Sequence, residues 1–179
     1  MPPPVKDEAA QLLAFADAQR EAVRLTAHGL TEDQARLTPS ASVFSIGGLL
    51  KHVSWTERGW VAMARGVDLP ERPGYDTEFT LSDDETLAGM LELSEQVGRE
   101  TTAAVAELGL AHTFPNPKGV PWFPADVDEW DVRWLVLHLV EELARHAGHG
   151  DVVRESIDGV VMADVVGEVE GWVMPDWAG

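Results

Sequence analysis

One stretch, Trp134 to Arg154 (WLVLHLVEELARHAGHGDVVR), limits what this chain can fold into more than any other. Wound as an α-helix, it places His138, Glu142, His146 and His149 within a sector of about 80°. Leu135, Leu139 and Val153 lie on the same side, so the ionisable groups share the face that should turn inward. Burying a carboxylate or an imidazole without a partner is costly. Glu142 and His146 stand one turn apart on that face, a spacing that lets both converge on one divalent cation. A residue from a second helix would make three ligands and leave positions open for water or substrate, as in catalytic metal sites. The same residues also fit an interior polar network, with Glu142 bridged to His138 or His146 and Arg145 nearby. Spacing alone is compatible with both.

His138 and His149 flank the pair. Each could orient a ligand, act as a general acid or base near neutral pH, or be a satisfied core histidine. His149, nearer the helix end, is the better pocket candidate. Of the remaining histidines among the chain's six, His28 suits the negative end of the first helix. His112 falls in a proline-rich loop and is expected to be exposed, and His52 alone reads as a core-edge residue. Glu57 shares the inward side of its helix, yet pairing with Arg58 or Lys51 in solvent is the default expectation.

Around that stretch the pattern is helical. Leu12, Phe15, Ala16 and Val23 recur at helical spacing between Val5 and Leu30, with Gln19 as an exception. Thr31 and Gln34 form a capping box for a short turn through Arg36, broken by Pro39. A second helix is expected from about Ser45 to Ala64, ending near Gly66, with Ile46, Leu49, Leu50, Val53 and Trp60 as its stripe. Residues 66–81 read as a loop. Ser82 and Glu85 form a second capping box for a helix reaching about Leu108. The long connection Gly109 to Glu129 carries Trp122 and Phe123, aromatics that could close one end of a pocket or merely tack down a surface loop. Asp131 is the expected N-cap of the last long helix, which should end between Ser156 and Gly159. Four long amphipathic segments with one long crossover predict an all-α four-helix bundle. Residues 1–179 are read as one domain with its core at about 5–159, while 160–179 fit a short helix, an edge strand or an ordered tail.

Charge and composition exclude several functions. A net charge of -18, from 13 basic and 31 acidic residues, argues against nucleic acid or an anionic membrane surface as partner. With no cysteine there can be no disulfide, thiolate ligand or cysteine nucleophile, so any thiol chemistry must use a ligand's sulfur. The N-terminus, MPPPVKDEAA, lacks an apolar signal core, and no run of 18 apolar residues occurs. The expected location is the cytoplasm.

The segments SIGGLLKHVSWTERGW (Ser45 to Trp60) and VRWLVLHLVEELARHAGHGDVVRESIDG (Val132 to Gly159) resemble the DinB-like superfamily. Within it they are most similar to the branch of mini-circle proteins related to mycothiol-dependent maleylpyruvate isomerase. The resemblance runs from the first helix to about residue 160. It implies a DinB-like bundle in which the order of the second and third helices departs from a simple up-down array, with a divalent metal inside one end. It also implies a ligand set: a histidine on the second helix and two residues four apart on the last, matching His52, Glu142 and His146. Many relatives have histidine in place of Glu142, whereas the thiol-dependent isomerase resembles this chain in using glutamate. His149 stands where many relatives have glutamine.

The function so implied is a metal-dependent transferase or isomerase that uses a low-molecular-weight thiol, mycothiol or bacillithiol, on a small-molecule substrate. Zinc is the first expectation for the metal, with nickel, iron or manganese as alternatives. His149, with His138 behind it, is the expected pair for proton handling. Two other functions fit the same ligands: a metal-dependent hydrolase, and a non-catalytic, stress-associated protein that binds a metal or small ligand. Leu137 and Val152 fall on the side of the last helix away from the ligands, and relatives are often dimers, so a homodimer is a further expectation.

Overall fold

The computed structural model describes residues 1–68, 71, 74, 77–121 and 123–172. Its helices are α1 (Glu8–Leu25), α2 (Glu32–Ala35), α3 (Ile46–Arg65), α4 (Leu87–Leu108), α5 (Val132–Asp158) and α6 (Met162–Glu170). A two-stranded antiparallel ladder joins β1 (Thr113–Pro115) to β2 (Glu129–Asp131), pairing Phe114 with Trp130. Trp122 and residues 173–179 lie outside the described residues.

The ends of the helices follow side-chain chemistry. Asp7 accepts from the Ala10 amide at 2.8 Å, so α1 starts at Glu8 rather than at Val5. It stops at Leu25 rather than Leu30 because buried Arg154 of α5 donates to the Thr26 and His28 carbonyls at 3.0 and 2.7 Å, satisfying groups beyond the last turn. Ser45 and Asp131 cap α3 and α5, and Gly66 and Gly159, both left-handed, end them. The Thr31–Gln34 box forms as expected. The Ser82–Glu85 box does not open α4. Glu85 accepts from the Ser82 amide, but the same carboxylate oxygen is held by Lys51 Nζ at 2.7 Å, and Thr86 is the cap.

Cross-helix contacts set the directions. Arg58 pairs with Glu100 and Arg65 with Glu107, so α3 and α4 run parallel. Glu8–Arg133 and Thr26–Arg154 make α1 parallel to α5. His52 faces His146 and Trp60 faces His138, so α3 and α5 are antiparallel. The bundle is therefore up, down, down, up, and the connection from Gly66 to Thr86 is the crossover that returns the chain along its length. The connection 109–131 stays at one end, where Trp130 of β2 and Phe123 pack against Trp60.

The core is built from Ala16 and Val23 of α1, Leu49, Leu50 and Val53 of α3, Val105 of α4, and Val136, Leu139 and Leu143 of α5. Phe15, expected inside, is 39% exposed. Leu137 and Val152 are exposed on the outer face of α5. Of the forms open to residues 160–179, the described part takes the short helix α6. Among the described residues no helix is long and apolar enough to cross a membrane.

Candidate functional site

The antiparallel packing of α3 on α5 brings the ring of His52 to 4.8 Å from that of His146, centroid to centroid. One turn back on α5, Glu142 Oε2 is 3.8 Å from His146 Nε2, too far for a hydrogen bond. These three side chains line a cavity with Val53, Thr56, Glu57, Leu139 and Leu143. It has about 10 Å³ of free space, room for roughly one water or ion. Helical spacing puts Glu142 and His146 on one face, the resemblance adds His52 from the second helix, and all three line this cavity.

His146 is the most constrained of the three. Its side chain is 14% exposed, and Nδ1 is buried with no hydrogen-bond partner among the described residues. Burial, reinforced by His52, His149 and Arg145, lowers its pKa to about 4. The imidazole is therefore neutral at pH 7, the state a metal ligand needs. The unfolded chain would protonate it near pH 6.5, so the folded state binds fewer protons between pH 6.5 and 4. The stability that His146 neutrality confers is complete above pH 6.5 and lost progressively as pH falls toward 4. The total is at most about 3 kcal/mol, and less where water reaches the ring. Urea midpoints of the metal-free protein at pH 7, 5.5 and 4.5 should fall more steeply than those of His146→Phe. Equal slopes would overturn this assignment.

His52 turns Nδ1 to Glu78 Oε1, 2.9 Å away. Phe44 lies edge-on to His52, His146 and His149, with centroids at 5.6, 5.7 and 5.0 Å, and so joins His149 to the same cluster. His138 is not brought there. It stacks on Trp134 at 5.0 Å and meets the edge of Trp60, in a column continued by Trp130. Two helical turns, about 12 Å of rise, separate it from His146. His28 is exposed near Glu168, and His112 Nε2 reaches the Ala64 carbonyl from an exposed position.

Glu57 does not pair in solvent. It is buried, and its carboxylate takes Arg20 Nε at 3.0 and 2.9 Å, Arg20 Nη2 at 2.7 Å and the Thr101 hydroxyl. Arg58 and Lys51 are occupied by Glu100 and Glu85 instead. Glu78 and Phe44, which complete the surroundings of the histidines, were missed. Both sit in connections without helical periodicity, where nothing in spacing marks them.

Among the described residues no three His, Asp or Glu side chains are already arranged to hold a metal ion. The donor set still fits one chemically. Two imidazoles and a carboxylate line a water-sized space, and the buried Nδ1 of His146 has no hydrogen-bond partner among the described residues. No protein of curated function matches the chain. The family model described as mycothiol-S-transferase matches residues 11–159, from within α1 to the C-cap of α5, in keeping with the DinB-like resemblance of its α3 and α5 segments. The chain thus belongs to the mycothiol-S-transferase family.

Proposed function

We propose that this protein transfers the sulfur of mycothiol to a small electrophile, at a divalent metal held by His52, Glu142 and His146. The observation that carries this reading is the meeting of those side chains at a one-water cavity, with His146 Nδ1 buried and unpartnered among the described residues, in a chain of this family without a cysteine. Two nitrogens and one carboxylate oxygen suit zinc first, with nickel, iron or manganese accommodated by the same donors. A bound divalent cation would favour thiolate over thiol at neutral pH.

The chain's own residues supply the rest. His52 and His146 face the cavity from opposite helices, and Leu139, Leu143 and Val53 keep water from its inner wall. His149, on the same cluster as Phe44, is the proposed proton acceptor for the thiol S–H. The sulfur lone pair then forms a C–S bond to the electrophilic carbon. The leaving group departs with the electrons of its former bond and takes the proton from His149. With a conjugated alkene as substrate, addition, rotation and elimination would return the thiol and give isomerisation. His138, about three turns from His149 along α5 and set among tryptophans, has no position behind His149 in this scheme. We place the reaction in the cytoplasm, with the exposed Leu137 and Val152 of α5 as the face for a homodimer.

The test compares zinc-loaded protein with small electrophiles in the presence of mycothiol, bacillithiol or no thiol. Conjugate formation that requires mycothiol and stops on chelation is the expected result. Turnover without thiol would show a hydrolase, and metal binding without turnover a binding protein; either overturns the proposal.

A further inference from the structure

The imidazole of His52 is held by a part of the chain that belongs to neither site helix. Its Nδ1 lies 2.9 Å from Glu78 Oε1, and the rings of Phe79 and Phe44 stand 5.2 and 5.6 Å from its own. Glu78 and Phe79 belong to the end of the crossover, and three residues, Ser45, Lys51 and Gly48, fasten that end to the first turns of α3. The Ser45 amide donates to the Phe79 carbonyl at 3.3 Å. Lys51 Nζ donates to the Thr77 and Thr80 carbonyls on either side of Glu78, at 2.8 and 3.2 Å, and to Glu85. That lysine is 1% exposed, an expensive position for an ammonium unless it is fully partnered. Gly48 lets the Phe79 carbonyl approach so closely that a Cβ there would sit 1.8 Å from its oxygen.

We propose that Glu78 is a positioning residue that sets the tautomer of His52. A neutral imidazole has one donor and one acceptor nitrogen, and a carboxylate only accepts. The contact therefore puts the proton on Nδ1 and leaves the lone pair on Nε2, the nitrogen free to ligate. The clamp by Lys51 and the close approach at Gly48 hold the carboxylate where it does this. The inference rests on the metal reading above only for its consequence in affinity; the tautomer is a property of the metal-free protein.

The experiment has two readouts. Long-range ¹H–¹⁵N correlation spectra of the metal-free protein should show His52 as the Nδ1–H tautomer; the Nε2–H tautomer in the wild type would overturn the proposal without any variant. Glu78→Ala should shift His52 toward Nε2–H and weaken zinc binding, measured by chelator competition, about 10- to 100-fold. Glu78→Gln, which keeps an acceptor oxygen, should restore most of both, an outcome that a merely structural role for Glu78 would not give. An unchanged tautomer in Glu78→Ala, or unchanged zinc affinity once it has switched, overturns the proposal. A wild type that binds no zinc would sink the metal reading alone, and the tautomer result would still decide the role of Glu78.

Discussion

Replacing His146 by alanine should abolish stoichiometric binding of zinc and, with it, all thiol-dependent turnover. The effect is expected to be complete because His146 is the most buried member of the set, standing between His52 on the facing helix and Glu142 one turn back. His52 has Glu78, whereas Nδ1 of His146 is buried and unbonded among the described residues, and its Nε2 stands 3.8 Å from Glu142. Removing it leaves one imidazole and one carboxylate on different helices, too few donors to exclude water from a divalent ion. The readout need not be activity. A ligand that binds only the folded state stabilises it by about 2.7 kcal/mol at a hundred times its Kd. For a chain of this size that raises the melting temperature by roughly 5–11 °C. Zinc should therefore shift the wild-type melt and leave His146→Ala unmoved.

Two companion variants make that result specific. His149→Ala should keep the metal-induced shift and lose turnover, since His149 meets the cluster through Phe44 and not through the cavity wall. His138→Ala should keep both and alter tryptophan emission, because His138 stacks on Trp134. Full zinc occupancy in His146→Ala would overturn the ligand assignment.

The contrast between His146 and His138 shows how far the sequence could be read. Both lie in one narrow sector of α5, and periodicity correctly describes their direction around the axis. It says nothing about which neighbour waits at each depth, and two turns down the helix that neighbour is Trp60 instead of His52. The long helices were legible for local reasons: apolar spacing within α3 and α5, with Ser45, Gly66, Asp131 and Gly159 at their ends. The start of α4 was misread because Glu85, suited to a capping box, is engaged by Lys51 from another helix. Glu78 and Phe44 were invisible for a related reason. Each acts through a tertiary contact from a connection that carries no period. The β1–β2 ladder, three residues a strand, is too short for alternation to register.

The largest effect on stability is expected from Glu57→Ala, a residue whose surroundings only the fold discloses. Arg20 of α1 is 2% exposed, and among the described residues its guanidinium pairs with Glu57 and with Asp17. The chain leaves space for it: a Cβ at Gly98 of α4 would sit 3.3 Å from Arg20 Cδ. Truncating Glu57 leaves that buried cation with the exposed Asp17 carboxylate at one edge and nothing in place of its buried partner, and takes an acceptor from Thr101, so α1, α3 and α4 lose their common polar tie. Breaking a buried pair from one side costs about 3–5 kcal/mol, or roughly 6–20 °C in melting temperature for a domain of this size. Most of that loss comes from the poorly compensated buried charge rather than from the bond itself, because desolvation had already offset much of the attraction. The double variant Arg20→Met with Glu57→Leu should therefore melt within a few degrees of the wild type. A double variant as unstable as Glu57→Ala would mean that the carboxylate supports the bundle through packing or through the cavity it lines. A recovered double variant that still binds zinc would separate the tie that holds the helices together from the site they enclose.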